Sequence, residues 1–168
     1  MMRLRLMRSK SALIAGMMVL AACSPATGAG KQGASDVRDS AAAPARHPLS
    51  GLQVIRVEIG GHRIAAELAA SPEEQEKGLM FRTAMGPDEG MIFPMDPPRR
   101  AYFWMRNTVL PLDILFIGAD RKVLNIAAGA KPYDETPLPS AGLAAAVLEL
   151  NAGRAAQLGI KAGDKVDW

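Results

Sequence analysis

The chain holds a single cysteine among 168 residues, Cys23. One thiol excludes an intramolecular disulfide and a cysteine-cluster metal site. Histidine is almost as scarce, with only His47 and His62, and no second histidine stands near either. No G-x-S-x-G surrounds a serine, which removes the elbow on which many hydrolases carry their nucleophile. No glycine loop of the phosphate-cradling type occurs. There is also no apolar run of the roughly 20 residues that a membrane-spanning helix needs. No complete catalytic signature and no cofactor motif is left, so no metal or cofactor is expected.

Charge is unevenly placed. The chain carries a net +3, but Arg3, Arg5, Arg8 and Lys10 supply four positive charges with no acid among them. Residues 1–22 have the layout of an export signal: a basic start through residue 10, then an apolar stretch over 11–20. That stretch ends in Leu20-Ala21-Ala22-Cys23, which resembles the bacterial lipobox. The resemblance implies cleavage before Cys23, lipid on its sulfur and amine, and attachment to a membrane. Ser24 follows where an aspartate would suggest retention at the inner membrane, so the resemblance leans toward the periplasmic face of the outer membrane. Without the signal the net charge falls to about −1, which argues against a nucleic-acid partner, whose phosphates demand a basic face.

Residues 24–50 are rich in Ala, Gly, Ser and Pro and show no apolar period. Together with Cys23 and Gly51 they are expected to form a tether reaching roughly 30 Å as a flexible coil. His47 falls within it and is expected to be solvated.

Residues 52–168 form the expected globular domain. Two β-rich runs, 52–59 and 62–68, flank Gly60-Gly61 and predict a hairpin. Ser71-Pro72-Glu73-Glu74 predicts a helix start with a capping box, ending at Gly78. A short strand is predicted over 91–93, a loop over 94–100, strands over 123–128 and 144–150, and a loop over 131–141. Asn151 is placed to cap a short helix ending near Gly159, and a last strand covers 165–168. The most apolar stretch, 101–117, reads as a second hairpin, with strands 102–105 and 112–117 around Arg106-Asn107-Thr108. Many short strands, two short helices and no βαβ alternation predict a mainly β fold, a compact antiparallel barrel or sandwich.

Six polar or aromatic residues stand out in apolar surroundings: Arg82, Trp104, Asn107, Thr108, Asp113 and Glu149. Asp113 and Glu149 could act as a carboxylate pair in a hydrolase or lyase. Such carboxylates more often bind arginines or backbone amides and hold loops. Asn107-Thr108 could present donors and acceptors to a ligand, or satisfy its own turn. Trp104 beside these groups suits a sugar-like polar ligand. Met80, Met85, Met91, Met95 and Met105 are soft enough for Cu(I), but their irregular spacing fits core packing better.

The motifs Gly78-Leu79-Met80-Phe81-Arg82, Gly90-Met91-Ile92-Phe93, Phe103-Trp104-Met105-Arg106-Asn107-Thr108, Leu112-Asp113-Ile114, Val147-Leu148-Glu149-Leu150 and Gly163-Asp164 resemble, in order, the domain of unknown function 192 family. The resemblance covers about 54–166 and departs mildly at Arg106, where lysine is usual, and at Gly118-Ala119. It implies a compact β-rich fold in an exported bacterial protein and carries no established activity. The expectation is therefore an envelope lipoprotein whose domain binds a glycan-like ligand or a protein partner. The alternatives are the carboxylate enzyme, the copper module and a purely structural accessory.

Overall fold

The structure is a computed structural model and describes residues 45–168. The expected signal segment 1–22, Cys23 and most of the expected tether lie outside the described residues. Seven strands and two short helices follow in order: β1 (Val54–Ile59), β2 (His62–Leu68), α1 (Pro72–Lys77), β3 (Glu89–Phe103), β4 (Leu112–Gly118), β5 (Val123–Ala130), β6 (Leu138–Asn151), α2 (Arg154–Gln157) and β7 (Val166–Asp167). They make one curled sheet in the order β5-β4-β6-β3-β2-β1-β7. The fold is mainly β, as expected. Every pair is antiparallel except β2 with β3, which α1 connects. The two edges of the curl meet at one end. Lys122 bridges Lys165, and Val123 N–H and Val166 N–H donate to Asp164 O and Arg121 O at 2.9 and 2.8 Å. Joining the edges in this way satisfies backbone groups that an open edge would leave unpaired.

Alternation along the strands divides the apolar residues between the two faces of the sheet. One core takes Val57, Ile64, Ile92, Leu115, Val123, Leu148 and Val166, thus residues from every strand including both edges, and fills the inside of the curl. The other takes Met91, Phe93, Met105, Ile114, Phe116 and Val147 and lies on the outer face of β3, β6 and β4. There, Phe103 stacks edge-on against both Phe93 and Phe116, with centroids 5.1 and 6.0 Å apart. Met91, Met95 and Met105 are buried in this second core, so three of the five clustered methionines are packing residues.

The first hairpin forms as its glycines predict, with Ile59 paired to His62. Helix α1 has the expected capping box. Ser71 Oγ accepts from Glu74 N–H at 3.2 Å, and Glu74 carboxylate accepts from Ser71 N–H at 2.8 Å. No residue of α1 is buried, and Gln75 ties it to the sheet by donating to Pro94 O at 2.7 Å.

The second hairpin does not form. Strands β3 and β4 share the stretch read as its two arms, but β6 inserts between them and pairs with both. The expected short strand and loop over 91–100 are instead part of one strand through Phe103, irregular between Pro94 and Arg99 and again between Arg100 and Tyr102. Strand β6 likewise begins at Leu138, inside the expected proline-containing loop. Residue His47 is packed rather than solvated: its side chain is 13% exposed and faces Glu67 at 3.6 Å.

Candidate functional site

The two carboxylates read as an acid–base pair do not converge. Asp113 pairs across the ladder with Leu150, and Glu149 with Ile114. Directly opposed residues share a face and neighbours in sequence do not. Asp113 therefore points into the inner core and Glu149 onto the outer face. The carboxylate-pair enzyme is corrected on this ground.

Asp113 is fully engaged with the backbone. Its Oδ1 accepts from Gly129 N–H at 2.9 Å and its Oδ2 from Ala155 N–H at 3.0 Å. The N-cap of helix α2 is Gly153, a left-handed residue with no side chain to bond the first turn, so Asp113 supplies the cap from β4. Asn151, the expected cap, instead donates to Met85 O and Gly86 O at 3.1 and 2.9 Å. Arg82 is committed as well. Its guanidinium meets both oxygens of Glu67 at 2.8 and 2.9 Å, and Ser50 Oγ donates to the same carboxylate. Glu67 is buried, and no sequence pattern announces this pairing because its members are distant in the chain.

Glu149 has no such partner. Its side chain is 5% exposed and makes no hydrogen bond or ion pair among the described residues. It stands in a row across the outer face, Glu67-Met91-Glu149-Ile114, one residue from each of β2, β3, β6 and β4. Burial pushes its carboxyl up from 4.5 to about 8. A buried acid without a partner is costly, which is why nearly all such groups in native proteins are satisfied. Gly90 on β3 makes the backbone approach here unusually close: a Cβ at that position would meet Glu149 O at 2.5 Å.

Above Glu149 opens a cavity of about 460 Å³. Trp104 and Thr108 also line it, so three of the six candidates share one site. Its other walls come from α1, the strand end at Tyr102-Phe103, and the arginines Arg99, Arg100 and Arg106. Trp104 is 45% exposed, and the Arg106 guanidinium sits 5.5 Å from its ring centroid while pairing with Glu135 at 3.1 Å. Thr108 is buried and closes a turn by donating its N–H to Met105 O at 3.1 Å. Asn107 occupies the left-handed position of that turn, φ 53°, and lies outside the Glu149 cavity. Its role is to hold loops: its carbonyl accepts from Phe81 N–H at 2.9 Å, while Thr108 O accepts from Tyr133 N–H at 3.3 Å. Arg82 lines a separate cavity of about 550 Å³ beside Ser50 and Phe81.

Sequence reasoning overlooked Arg99 and Arg100, which it placed in a loop. It also overlooked Phe81 and Tyr133, two aromatics with left-handed backbones that are 69% and 62% exposed. The Pro97-Pro98-Arg99-Arg100 run was the one signal available for the arginines.

Residues 55–168 match the family model DUF192, described as Uncharacterized ACR. A protein of unknown function from Novosphingobium aromaticivorans DSM 12444, known from its crystal structure, is 63% identical. The match covers 76% of this chain and 94% of that one, with a TM-score of 0.73. A Sinorhizobium meliloti 1021 protein, described only provisionally as a transcription regulator, is 42% identical over 67% of this chain and 91% of its own, with a TM-score of 0.65. No curated protein matches the chain.

Proposed function

The chain belongs to the domain of unknown function 192 family, and we propose that its domain binds a glycan-like polar ligand in the cavity above Glu149. The observation that carries this reading is Glu149 itself: a residue only 5% exposed, its carboxyl without a protein partner among the described residues, lining a cavity beside Trp104. Protonated at neutral pH, it offers one O–H donor and acceptor capacity to a hydroxyl-rich ligand. The half-exposed indole offers the apolar face on which a sugar ring stacks. The setting we propose is the cell envelope, with the domain held by lipid on Cys23; the support for this is the lipobox-like Leu20–Cys23 sequence and the tether composition.

A second reading is acid–base chemistry on the bound ligand by Glu149 alone, without Asp113. Its support is a carboxyl held near neutrality in a cavity. A nucleic-acid role of the kind described for the Sinorhizobium protein has no support in the charge of this domain. Residues 45–168 hold 14 Lys and Arg against 15 Asp and Glu, which is no footing for binding a duplex through its phosphates.

The test is a titration of Trp104 emission with fragments of bacterial envelope glycan. The full chain in detergent, carrying Trp168→Phe, leaves Trp104 as the sole indole. A saturable change that Glu149→Gln weakens supports the proposal. No response across neutral and acidic fragments overturns it, and turnover of a bound fragment selects the second reading.

A further inference from the structure

The Glu149 cavity does not stand alone. Two further cavities adjoin it: the one of about 550 Å³ beside Arg82, and one of about 420 Å³ lined by Asn107. Lys77 and Met80 line all three. Gly78 lines both the Glu149 cavity and the Arg82 cavity and puts no side chain between them. The partition thus consists of backbone at Gly78 and two unbranched, flexible side chains, and a methionine adapts readily to what lies against it. The three cavities are compartments of one trough that passes over the end of α1.

The far compartment carries an aromatic ring that core packing does not explain. Phe81 lines the Arg82 cavity and is 69% exposed. Its backbone is left-handed, φ 62°. A bulky residue rarely adopts that conformation, which costs free energy and persists only where the surroundings impose it. Here the neighbouring loop imposes it. Phe81 N–H donates to Asn107 O at 2.9 Å, and the Asn107 amide donates to Met80 Sδ at 3.8 Å. The outcome is a large ring displayed to solvent on a braced backbone. Strain of this kind gathers at ligand clamps.

The charge of the trough narrows what it can hold. The Arg82 cavity sets Glu73 and Glu74 against Lys77 and Arg82. The Asn107 cavity sets Glu73 and Glu76 against Lys77 and Arg106. Neither sign dominates, so nothing here draws in a polyanion or a polycation. Acids and bases side by side offer both acceptors and donors, which suits a chain of hydroxyls and amides.

We propose that the trough takes a glycan chain of several sugar units, one unit stacked on Trp104 beside Glu149 and a later unit stacked on Phe81. The proposal rests on the saccharide reading above and names the length of the ligand and its second platform. Each exposed ring gives an apolar face to a sugar. Arg82 and Asn107, which lie outside the Glu149 cavity, border the chain in this arrangement.

The experiment is a calorimetric titration of the full chain in detergent with bacterial envelope glycan fragments of one, two and three disaccharide units. The expected result is that three units bind about tenfold tighter than one or more, the factor that a second stacked ring and its hydrogen bonds supply. Phe81→Ala should remove this gain and leave one-unit binding as in the wild type, while Phe81→Tyr should keep both. One-unit binding is the control for folding, since Trp104 and Glu149 must be in place for it. A wild-type gain no larger than the number of units in the fragment is the statistical factor of a single subsite; it overturns this proposal and leaves the saccharide reading standing. A gain that survives Phe81→Ala overturns it as well, as does an equal weakening of short and long fragments by that variant. No binding of any fragment overturns both readings.

Discussion

The carboxylate of Asp113 accepts a hydrogen bond from Ala155 N–H at 3.0 Å, and so a strand residue caps a helix whose first turn lies 42 residues further along the chain. The same carboxylate holds Gly129 at the end of β5. A buried acid satisfied in this way is a fastener between β4, β5 and α2. Asp113→Ala should remove both charge-assisted bonds and cost about 3 kcal/mol in denaturant unfolding, and Asp113→Asn about half as much, because its amide oxygen can keep one of them. Ligand binding at the Glu149 cavity should be unchanged in Asp113→Asn. An unaltered unfolding midpoint for both variants would show that the cap carries no stability.

Arg82 and Glu67 should behave as a buried pair. Removing the cation alone, in Arg82→Met, leaves the buried Glu67 with only Ser50 and His47 beside it and should cost about 3 kcal/mol. Adding Glu67→Gln should recover much of that loss. A double-mutant cycle on unfolding free energies checks the coupling; additive losses would mean that the two side chains do not depend on each other.

Glu149 sets a pH dependence of the opposite sign to that of most acids. Its folded pKa, about 8, lies above its ordinary value of 4.5, so the folded state binds the proton more tightly. The stability it allows is fully present below about pH 4.5 and is lost progressively as pH rises toward 8. Within that window each pH unit climbed costs about 1.4 kcal/mol, the free energy of a tenfold change in proton activity. Glu149→Gln should flatten this slope and leave the protein more stable than the wild type at pH 8, as urea unfolding at a series of pH values would show. A wild-type profile that rises between pH 5 and 8, unchanged by Glu149→Gln, would contradict the burial argument.

Gly90 should tolerate no side chain. The Cβ of Gly90→Ala would stand 2.5 Å from Glu149 O, which belongs to the backbone and cannot swing away. Overpacking of this kind costs about 1–3 kcal/mol. Thermal unfolding of Gly90→Ala checks this, and a midpoint equal to that of the wild type would mean that the β3–β6 approach can relax.

What was legible in the sequence was local. The Gly60-Gly61 turn and the Ser71/Glu74 capping box form from neighbours a few residues apart, and both appear where the residues place them. The arms at 102–105 and 112–117 read as a hairpin for the same reason, but the strand that separates them comes from 138–151 and leaves no mark near 101–117. The site divides along the same line. Trp104 and Thr108 are close in sequence and share the cavity with Glu149, a residue flagged only by its apolar context. Asp113, flagged by the same context, is satisfied by Gly129 and Ala155, whose amides carry no sequence signal at all. Arg99 and Arg100 were hidden by prolines that suggested a loop, where the structure has an irregular strand.

Glu149 as a protonated, ligand-facing group stands or falls on one measurement. It is the carboxyl carbon resonance of Glu149, followed by NMR through a pH series with and without envelope glycan fragments. Titration near 8 is expected in the free protein, with a displaced resonance once the fragment is bound. Titration near 4.5, indifferent to every fragment, would contradict both the burial and the binding role of this side chain.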